Sequence, residues 1–484
     1  MEIHDYLLNL QSSFLSMNLS THLKHPVFKI VSQICEEKQL EAYVIGGFVR
    51  DLILDRPSKD IDIVVVGNGI ELAESAAKIL RVKQVSIFKN YGTAHFKYKD
   101  LDVEFVGARK ESYREDSRNP SVKSGTLKDD QLRRDFTINA LAISLQKKTF
   151  GDLIDPFNGL EDLKNGVIKT PLDPVKTYID DPLRMLRAIR FATQLDFKIE
   201  YKSLEAILEN CERLKIISQE RISDELNKII LSKTPSRGFK LLESTKLLHQ
   251  FFQEMIALKG IETINGKSHK DNFYHTLEVL DNISKNTTNL WLRWAAIMHD
   301  IAKPNTKRFE PEHGWTFHGH EDLGARFVPK IFKRLKLPLD NKMKYVQKLV
   351  RLHLRPIALV KGNVTDSAVR RLLFEAGDDI DDLMTLCNAD VTSKNEFKVV
   401  KFRNNFELVS KKLKIVEEKD KIRNFQPPVT GEIIMKTFNI GPCSEIGNLK
   451  TKIKDAILEG VIENDFDQAF KYMLEIASEV GLQK

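Results

Sequence analysis

Lys59-Asp60-Ile61-Asp62-Ile63-Val64-Val65-Val66 is an apolar run that carries two carboxylates two residues apart. A strand has period two, so Asp60 and Asp62 project from one face while Ile61 and Ile63 enter a core on the other. Two like charges side by side are costly unless a cation lies between them. A pair of Mg²⁺ ions about 3.5–4 Å apart uses such oxygens to activate an attacking hydroxyl and steady a leaving pyrophosphate. Leu101-Asp102-Val103-Glu104-Phe105-Val106 alternates in the same way and offers a third carboxylate from Asp102 or Glu104. An edge strand wearing acids for solubility is the bland alternative. Upstream, Tyr43-Val44-Ile45-Gly46-Gly47-Phe48-Val49-Arg50-Asp51 reads as a buried strand, a glycine pair and a helix start. Backbone N–H groups can approach an anion closely there.

A second constellation lies further on. Seven of the twelve histidines fall between 269 and 353, among them His275, the His299-Asp300 pair, His320 and His353, with Asp390 downstream. The pair ends an apolar segment, Trp294–Met298. A His-Asp pair in a domain interior is costly without a metal to balance it, so coordination is expected. Imidazole with carboxylate suits Mg²⁺, Mn²⁺, Fe²⁺, Co²⁺ or Ni²⁺, which sequence does not distinguish. Between the two constellations, Asp180-Asp181-Pro182-Leu183-Arg184-Met185-Leu186-Arg187 sets cations every third residue, with Asp181 and Arg184 on one helix face.

The elements that must hold these groups follow from periodicity. Residues 1–40 look helical, with apolar positions at Leu7, Leu8, Phe14, Leu15, Val27, Ile30, Val31 and Ile34. Strand-like runs follow at Ala42–Ile45, Ile61–Val66, Val85–Phe88, Ala94–Tyr98 and Leu101–Val106, with a helix over Ile70–Leu80. Beyond about 175 the pattern is helical: Asp181–Thr193, Ser203–Glu212, Gln219–Leu231 and Ala456–Val480, with no strand alternation after roughly 170. The charged stretch Ser410–Lys421 and then Pro427-Pro428 suggest a linker. This is an α+β chain, a mixed α/β head with a long all-α body.

Bulk properties agree. A chain of 484 residues is too long for one core, and roughly 150 residues per domain gives about three units. No apolar run approaches the roughly 20 residues that span a bilayer, so no membrane partner is expected. Cys35, Cys211, Cys387 and Cys443 lie far apart, which argues against thiolate zinc and disulfides and favours the cytoplasm. The net charge of +7 permits a polyanionic partner. Lys228, Lys233, Arg237 and Lys240 could follow RNA phosphates, or form an ordinary solvated face.

Taken together, Gly46-Gly47-x-x-Arg50-Asp51 and Asp60-x-Asp62 resemble the class II nucleotidyltransferases of the DNA polymerase beta superfamily: the tRNA nucleotidyltransferases, or CCA-adding enzymes, and the bacterial poly(A) polymerases. Arg109-x-Glu111-x-Tyr113 is similar to the start of their flexible loop. Arg133-Arg134-Asp135-Phe136-Thr137-x-Asn139-Ala140 is similar to their sugar-recognition motif, and Asp155-Pro156-Phe157-x-Gly159-x-x-Asp162-Leu163 to their hinge. The His275…His299-Asp300…Asp390 order resembles the HD phosphohydrolase domain, with His320 and His353 as the further histidines of two-metal members. Lys303 fills a lysine position of that domain, and Ala302 stands where glycine is common.

The resemblance implies a nucleotidyltransferase head at 41–170 after an N-terminal helical segment at 1–40. A neck and body at 171–265, an HD domain at 266–400 and a helical tail at 401–484 complete the chain. It implies Mg²⁺ at Asp60 and Asp62 with Glu104 as the third carboxylate. Nucleotide contacts would come from Gly46, Gly47, Arg50, Arg109, Arg134, Asp135, Asn139, Asp181, Arg184 and Arg187, with Glu220 and Arg221 propping the Asp181–Arg184 helix. An accepting carboxylate and a donating guanidinium match the Watson–Crick edges of cytosine and adenine and leave uracil and guanine unpaired. The implied activity is addition of C, C and A to the tRNA 3′ end from CTP and ATP, the full-length Arg109–Arg133 loop favouring complete synthesis. The HD site, holding a divalent metal, would trim damaged 3′ ends as a cyclic phosphodiesterase or phosphatase. Rival expectations are a poly(A) polymerase, and an RNA-binding protein whose main activity is the HD site.

Overall fold

Strands β1 (Glu41–Ile45) and β2 (Asp60–Val66) form the centre of the first unit because both are apolar enough to be covered on two sides. Val44, Ile45, Ile63, Val64 and Val65 are fully buried. In the computed structural model, which describes residues 17–89, 92–114, 117–361, 365–392, 396–420, 422–423 and 425–482, they belong to a seven-stranded sheet. Its other strands are β3 (Ser86–Phe88), β4 (Thr93–Tyr98), β5 (Leu101–Gly107), β8 (Ala142–Ser144) and β9 (Leu153–Ile154), in the order β3-β4-β5-β2-β1-β8-β9. A separate hairpin pairs β6 (Arg109–Arg114) with β7 (Ser117–Ser124). The β2–β5 pairing is parallel and the other pairings of the large sheet are antiparallel.

Two of the helices that pack on the first unit's strands, Pro26–Lys38 and Gly69–Leu80, are each started by a side-chain cap. His25 caps Pro26–Lys38, with proline at the first turn, and Asn68 caps Gly69–Leu80. On the face that carries the acids, Tyr43, Ile45, Val64, Ala108 and Ala142 form a small apolar cluster. The carboxylates therefore sit at the end of a surface that is otherwise core.

The chain divides into two units, 1–229 with 240–250, and 230–239 with 251–484. The second is built from helices, with Asn272–Ser284, Leu290–Met298, His320–Arg334, Asn341–Leu352 and Ile380–Ala389 packed on one another. Trp294 anchors this core, its ring 6.1 Å from Phe252 and 6.0 Å from Phe332. Buried Arg293 donates to the carbonyls of Ile230, Ser232, Ser284 and Thr287, which satisfies its charge without a carboxylate. Among the described residues no helix is long and apolar enough to cross a membrane.

Several expectations change. Residues 1–16, with Leu7, Leu8, Phe14 and Leu15, lie outside the described residues, and helix in the rest of that segment is confined to Ser20–His22 and Pro26–Lys38. Ser410–Lys421 is not a linker, since a helix runs over Glu396–Asp420. Phe406, Val409, Leu413 and Val416 are buried along one side, so the charges are simply its wet side. Much of the Arg109–Arg133 loop is the β6–β7 hairpin, whose strands lack the apolar face that period-two reading requires. Strands do return after 170, as pairings two or three residues long that show no periodicity: Val167–Ile168 with Lys198–Ile199, Thr263–Ile264 with Lys267–Ser268, and Arg308–Glu310 with Gly314–Thr316. The last helical stretch is two helices, Ser444–Glu459 and Phe466–Ile476, the first capped by Gly460 at φ 76°.

Candidate functional site

Asp60 and Asp62 share a face of β2, as period two requires, Asp60 exposed and Asp62 half-buried while Ile61 and Ile63 are buried on the other side. The parallel register sets Asp62 beside Glu104 and Asp60 beside Asp102. Asp102 is engaged by His95 Nε2 at 3.2 Å. Burial pushes the Asp62 carboxyl above its usual range, more than the Arg134 charge lowers it. Burial and the Asp62 charge do the same to Glu104. A divalent cation would offset that repulsion, and the hard oxygen donors fit Mg²⁺.

Across from Asp62 in register stands Ile45, and the chain then turns at Gly46 with φ 82°. A Cβ at Gly46 would lie 2.8 Å from Arg134 Nη1 and 3.2 Å from Asp62 Oδ2, so turn, carboxylate and guanidinium close on one point. Arg134 is steered there by Asp130, fully buried, which also takes Arg133 at 2.5 Å. Arg133 in turn reaches Glu111 at 3.3 Å, as Arg109 does at 2.8 Å.

Asp135 is the junction of a longer chain. It accepts from Phe136 N at 2.9 Å, Asn139 Nδ2 at 3.0 Å and Arg187 Nε at 2.7 Å. Burial opposes its charge, but Arg187 and Asn139 hold the carboxyl down at about 2. Asn139 Oδ1 accepts from Arg50 Nη1 at 2.7 Å, and Arg50 forks onto Asp51. Arg50, Arg187 and Arg190 all lie within 5.4 Å of the Phe191 ring centroid. Arg50, Asp135, Asn139 and Arg187 thus join the glycine turn to the Leu183–Leu195 helix. Asp181 and Arg184 stand at the start of that helix, both half-buried. Leu183 N donates to Asp181 Oδ1 at 3.1 Å, and Arg184 Nη2 donates to the Arg133 carbonyl at 2.5 Å. Each group has one edge anchored.

In the second unit, His299 and Asp300 follow the Asn289-capped helix Leu290–Met298, and His320 opens the helix after Gly319. His299, His320 and His353 each pair Nδ1 with the carbonyl three residues earlier, at 2.7, 2.7 and 2.6 Å. Their Nε2 atoms are buried and point toward carboxylate oxygens without well-aligned hydrogen bonds. His275 Nδ1 meets Thr392 Oγ1 at 2.9 Å. Asp300 lies among them: Oδ2 is 3.2 Å from His299 Nε2 and 3.5 Å from His275 Nε2, and Oδ1 is 3.3 Å from His320 Nε2 and 4.0 Å from His353 Nε2. Asp390 Oδ1 is 2.9 Å from His275 and 3.6 Å from His299. Two groups of donors result, His275–His299–Asp300 and Asp300–His320–His353, sharing Asp300.

Nitrogen lone pairs and carboxylates converging in a dry interior repel one another unless positive charge is present, so the donor set fits a divalent metal. The protein's own charges show the same demand. Burial notwithstanding, Asp300 and Asp390 push His299 up to about 10, whereas burial and His299 pull His353 down to about 3. Lys303 Nζ donates to Asp300 Oδ2 at 2.6 Å.

The chain matches three family models: the poly A polymerase head domain over residues 42–169, the probable RNA and SrmB-binding site of polymerase A over 196–258, and the HD domain over 272–393. It is 31% identical over 377 residues to the multifunctional CCA protein of Nitrosococcus oceani, spanning 74% of this chain and 86% of that one. The chain belongs to the tRNA nucleotidyltransferase and poly(A) polymerase family. It is also 44% identical over 204 residues to the A-adding tRNA nucleotidyltransferase of Aquifex aeolicus, covering 42% of this chain and 24% of that protein. The chain spans 24% to 60% of the length of the first four curated relatives it matches. The Thermotoga maritima CCA-adding enzyme complexed with tRNA shares the fold, with a TM-score of 0.60 at 24% identity over 95% of this chain and 98% of that one.

Against this family frame two positions stand apart from the reading of the motifs. Glu220 and Arg221 are exposed on the helix Gln219–Ile230. The side chain that supports the Leu183–Leu195 helix is Glu225, buried and 3.0 Å from Arg190. The helix turns Ile222, Ser223, Glu225 and Leu226 inward, so Glu225 faces the core where Glu220 faces water. Asp130, which steers both Arg133 and Arg134, belongs to no recognised motif; an acid three and four residues ahead of an arginine pair is its sequence signal.

Proposed function

We propose that this chain adds C, C and A to the 3′ end of tRNA from CTP and ATP, with Mg²⁺ held by Asp60 and Asp62 and aided by Glu104. The observation that carries the reading is the shared face of Asp60, Asp62 and Glu104 beneath the Gly46 turn. When bound, the metal lowers the pKa of the RNA 3′-hydroxyl and neutralises the triphosphate. Gly46, Gly47, Arg109 and Arg134 would receive the triphosphate, and Arg50, Asp135, Asn139 and Arg187 fix where the Leu183–Leu195 helix stands. Asp181 and Arg184 present an acceptor and a donor to the base, and their anchored edges limit how either can turn. The chain's similarity to A-adding tRNA nucleotidyltransferases supports tRNA as the substrate.

Extension of tRNA transcripts lacking CCA, with each nucleotide supplied separately, tests this. Sequential use of CTP and then ATP is expected. ATP addition to unstructured RNA without CTP would make it a poly(A) polymerase, and ATP use only on transcripts ending in CC would make it an A-adding enzyme. Arg184→Ala is expected to reduce discrimination against UTP and GTP roughly ten- to a hundredfold, the worth of a charged hydrogen bond. Gly46→Ala forces φ 82° on a residue with a Cβ and presses on Arg134 and Asp62, so extension should slow about tenfold.

We further propose that the second unit hydrolyses phosphoesters at blocked RNA 3′ ends. Three buried Nε2 atoms converging on a shared aspartate support it. His275, His299, Asp300, His320, His353 and Asp390 would hold the metal, which when bound polarises the ester and acidifies water. Lys303 would balance the charge on Asp300.

A further inference from the structure

A cavity of about 610 Å³ opens directly on the HD centre, with His275, Asp390, Lys303, Lys270, Phe317 and Trp315 in its lining. Its outer wall is not helical. The short pairings Thr263–Ile264/Lys267–Ser268 and Arg308–Glu310/Gly314–Thr316 pack together there. They are latched reciprocally: Trp315 Nε1 donates to the Lys267 carbonyl at 3.0 Å, while Lys267 Nζ donates to the carbonyls of Pro311 and Glu312, each at 2.9 Å. Phe309 and His269 make T-shaped contacts with the indole, with centroids 5.3 and 5.1 Å away, and Lys307 Nζ lies over one of its faces, 5.4 Å from the centroid, which leaves the cavity side for a base. A large aromatic ring is thereby tied into the wall of a cavity lined by Lys267, Lys270 and Lys303, with His275 and Asp390 of the proposed metal site also in its lining.

Building on the reading of the HD centre as a phosphohydrolase, we propose that Trp315 is a specificity-determining residue that stacks the base of a 3′-phosphorylated terminal nucleotide while the phosphate reaches His275 and Asp390. Phosphate chemistry alone needs no aromatic ring. Every base offers a π face, however, and stacks on an aromatic side chain whatever its identity. The reaction served is ester hydrolysis: water oxygen bonds to phosphorus as the P–O3′ bond breaks, leaving a free 3′-hydroxyl and phosphate. That hydroxyl is the group the head must have as its nucleophile.

The test uses the full-length chain with 3′-AMP and, as a phosphate ester without a base, glycerol 2-phosphate. Trp291, Trp294 and Trp315 all belong to the second unit, so tryptophan fluorescence reports on that unit alone. Quenching by 3′-AMP and not by glycerol 2-phosphate is expected. Trp315→Ala should raise KM for 3′-AMP roughly tenfold with kcat and glycerol 2-phosphate kinetics unchanged. Trp315→Phe keeps a ring but loses the indole donor, and should stay near the parent. Absence of quenching, parental KM in Trp315→Ala, equal losses on both esters, or a phenylalanine variant as impaired as the alanine one would each overturn the proposal. Quenching by 3′-AMP without hydrolysis of either ester would support the stacking role and remove the phosphohydrolase reading instead.

Discussion

Replacing Asp60 and Asp62 together by alanine should lower nucleotide addition by roughly a thousandfold or more. Metal-borne charge stabilisation at a phosphoryl centre is worth several kcal/mol, and each 1.36 kcal/mol is about tenfold in rate. The fold has little reason to suffer. Asp60 is exposed, Asp62 sits where burial and its neighbour's charge already oppose ionisation, and the apolar cluster of that face starts further along β2. The thermal midpoint is therefore expected to hold or rise, and tRNA retention in a filter assay to stay near that of the parent. Addition at the parental rate by the double variant would remove the proposed mechanism. A loss of both tRNA binding and thermal stability would point to a folding defect, which the single Asp60→Ala variant then separates, since its side chain lies in solvent.

The second large effect is expected from His299→Ala combined with Asp300→Ala. Asp300 belongs to both donor groups and His299 faces it at 3.2 Å, so the pair removes the centre that the other ligands share. Changing both residues leaves neither His299 nor Asp300 facing the other's absence, although Lys303 also loses its carboxylate, so the thermal midpoint of the variant is read alongside. The metal held by the second unit, read by atomic emission as the difference between parent and variant chains, should be lost, and phosphohydrolase activity should fall at least about a thousandfold. CCA addition should remain within about twofold, since the acids of the head belong to the other unit. Retention of every phosphohydrolase activity of the parent would dispose of the HD assignment.

Much of this was legible because it rests on alternation and on residue chemistry. The boundaries of β2 and β5 follow from Ile61, Ile63, Val103 and Phe105, and the same alternation places Asp60, Asp62 and Glu104 on one side. The HD centre declares itself by types of residue that are costly to bury without metal. What stayed hidden depends on three-dimensional partners. Nothing in the spacing of Arg50 and Arg187 says that each turns to a buried polar group, Asn139 and Asp135. Glu220 and Glu225 are equally acidic, and only the phase of their helix separates a solvated side chain from a buried support. The strands around Trp315 are too short for any period to show, so its latch to Lys267 appears only in space.

The Asp135 junction has one further consequence. Because a single carboxylate grips both Arg187 of the Leu183–Leu195 helix and Asn139 beside the glycine turn, the proposed ruler for bases and the proposed anvil for bond making share one datum. Loosening that grip would show first as wrong letters written at the end of the strand, and only later as slower writing.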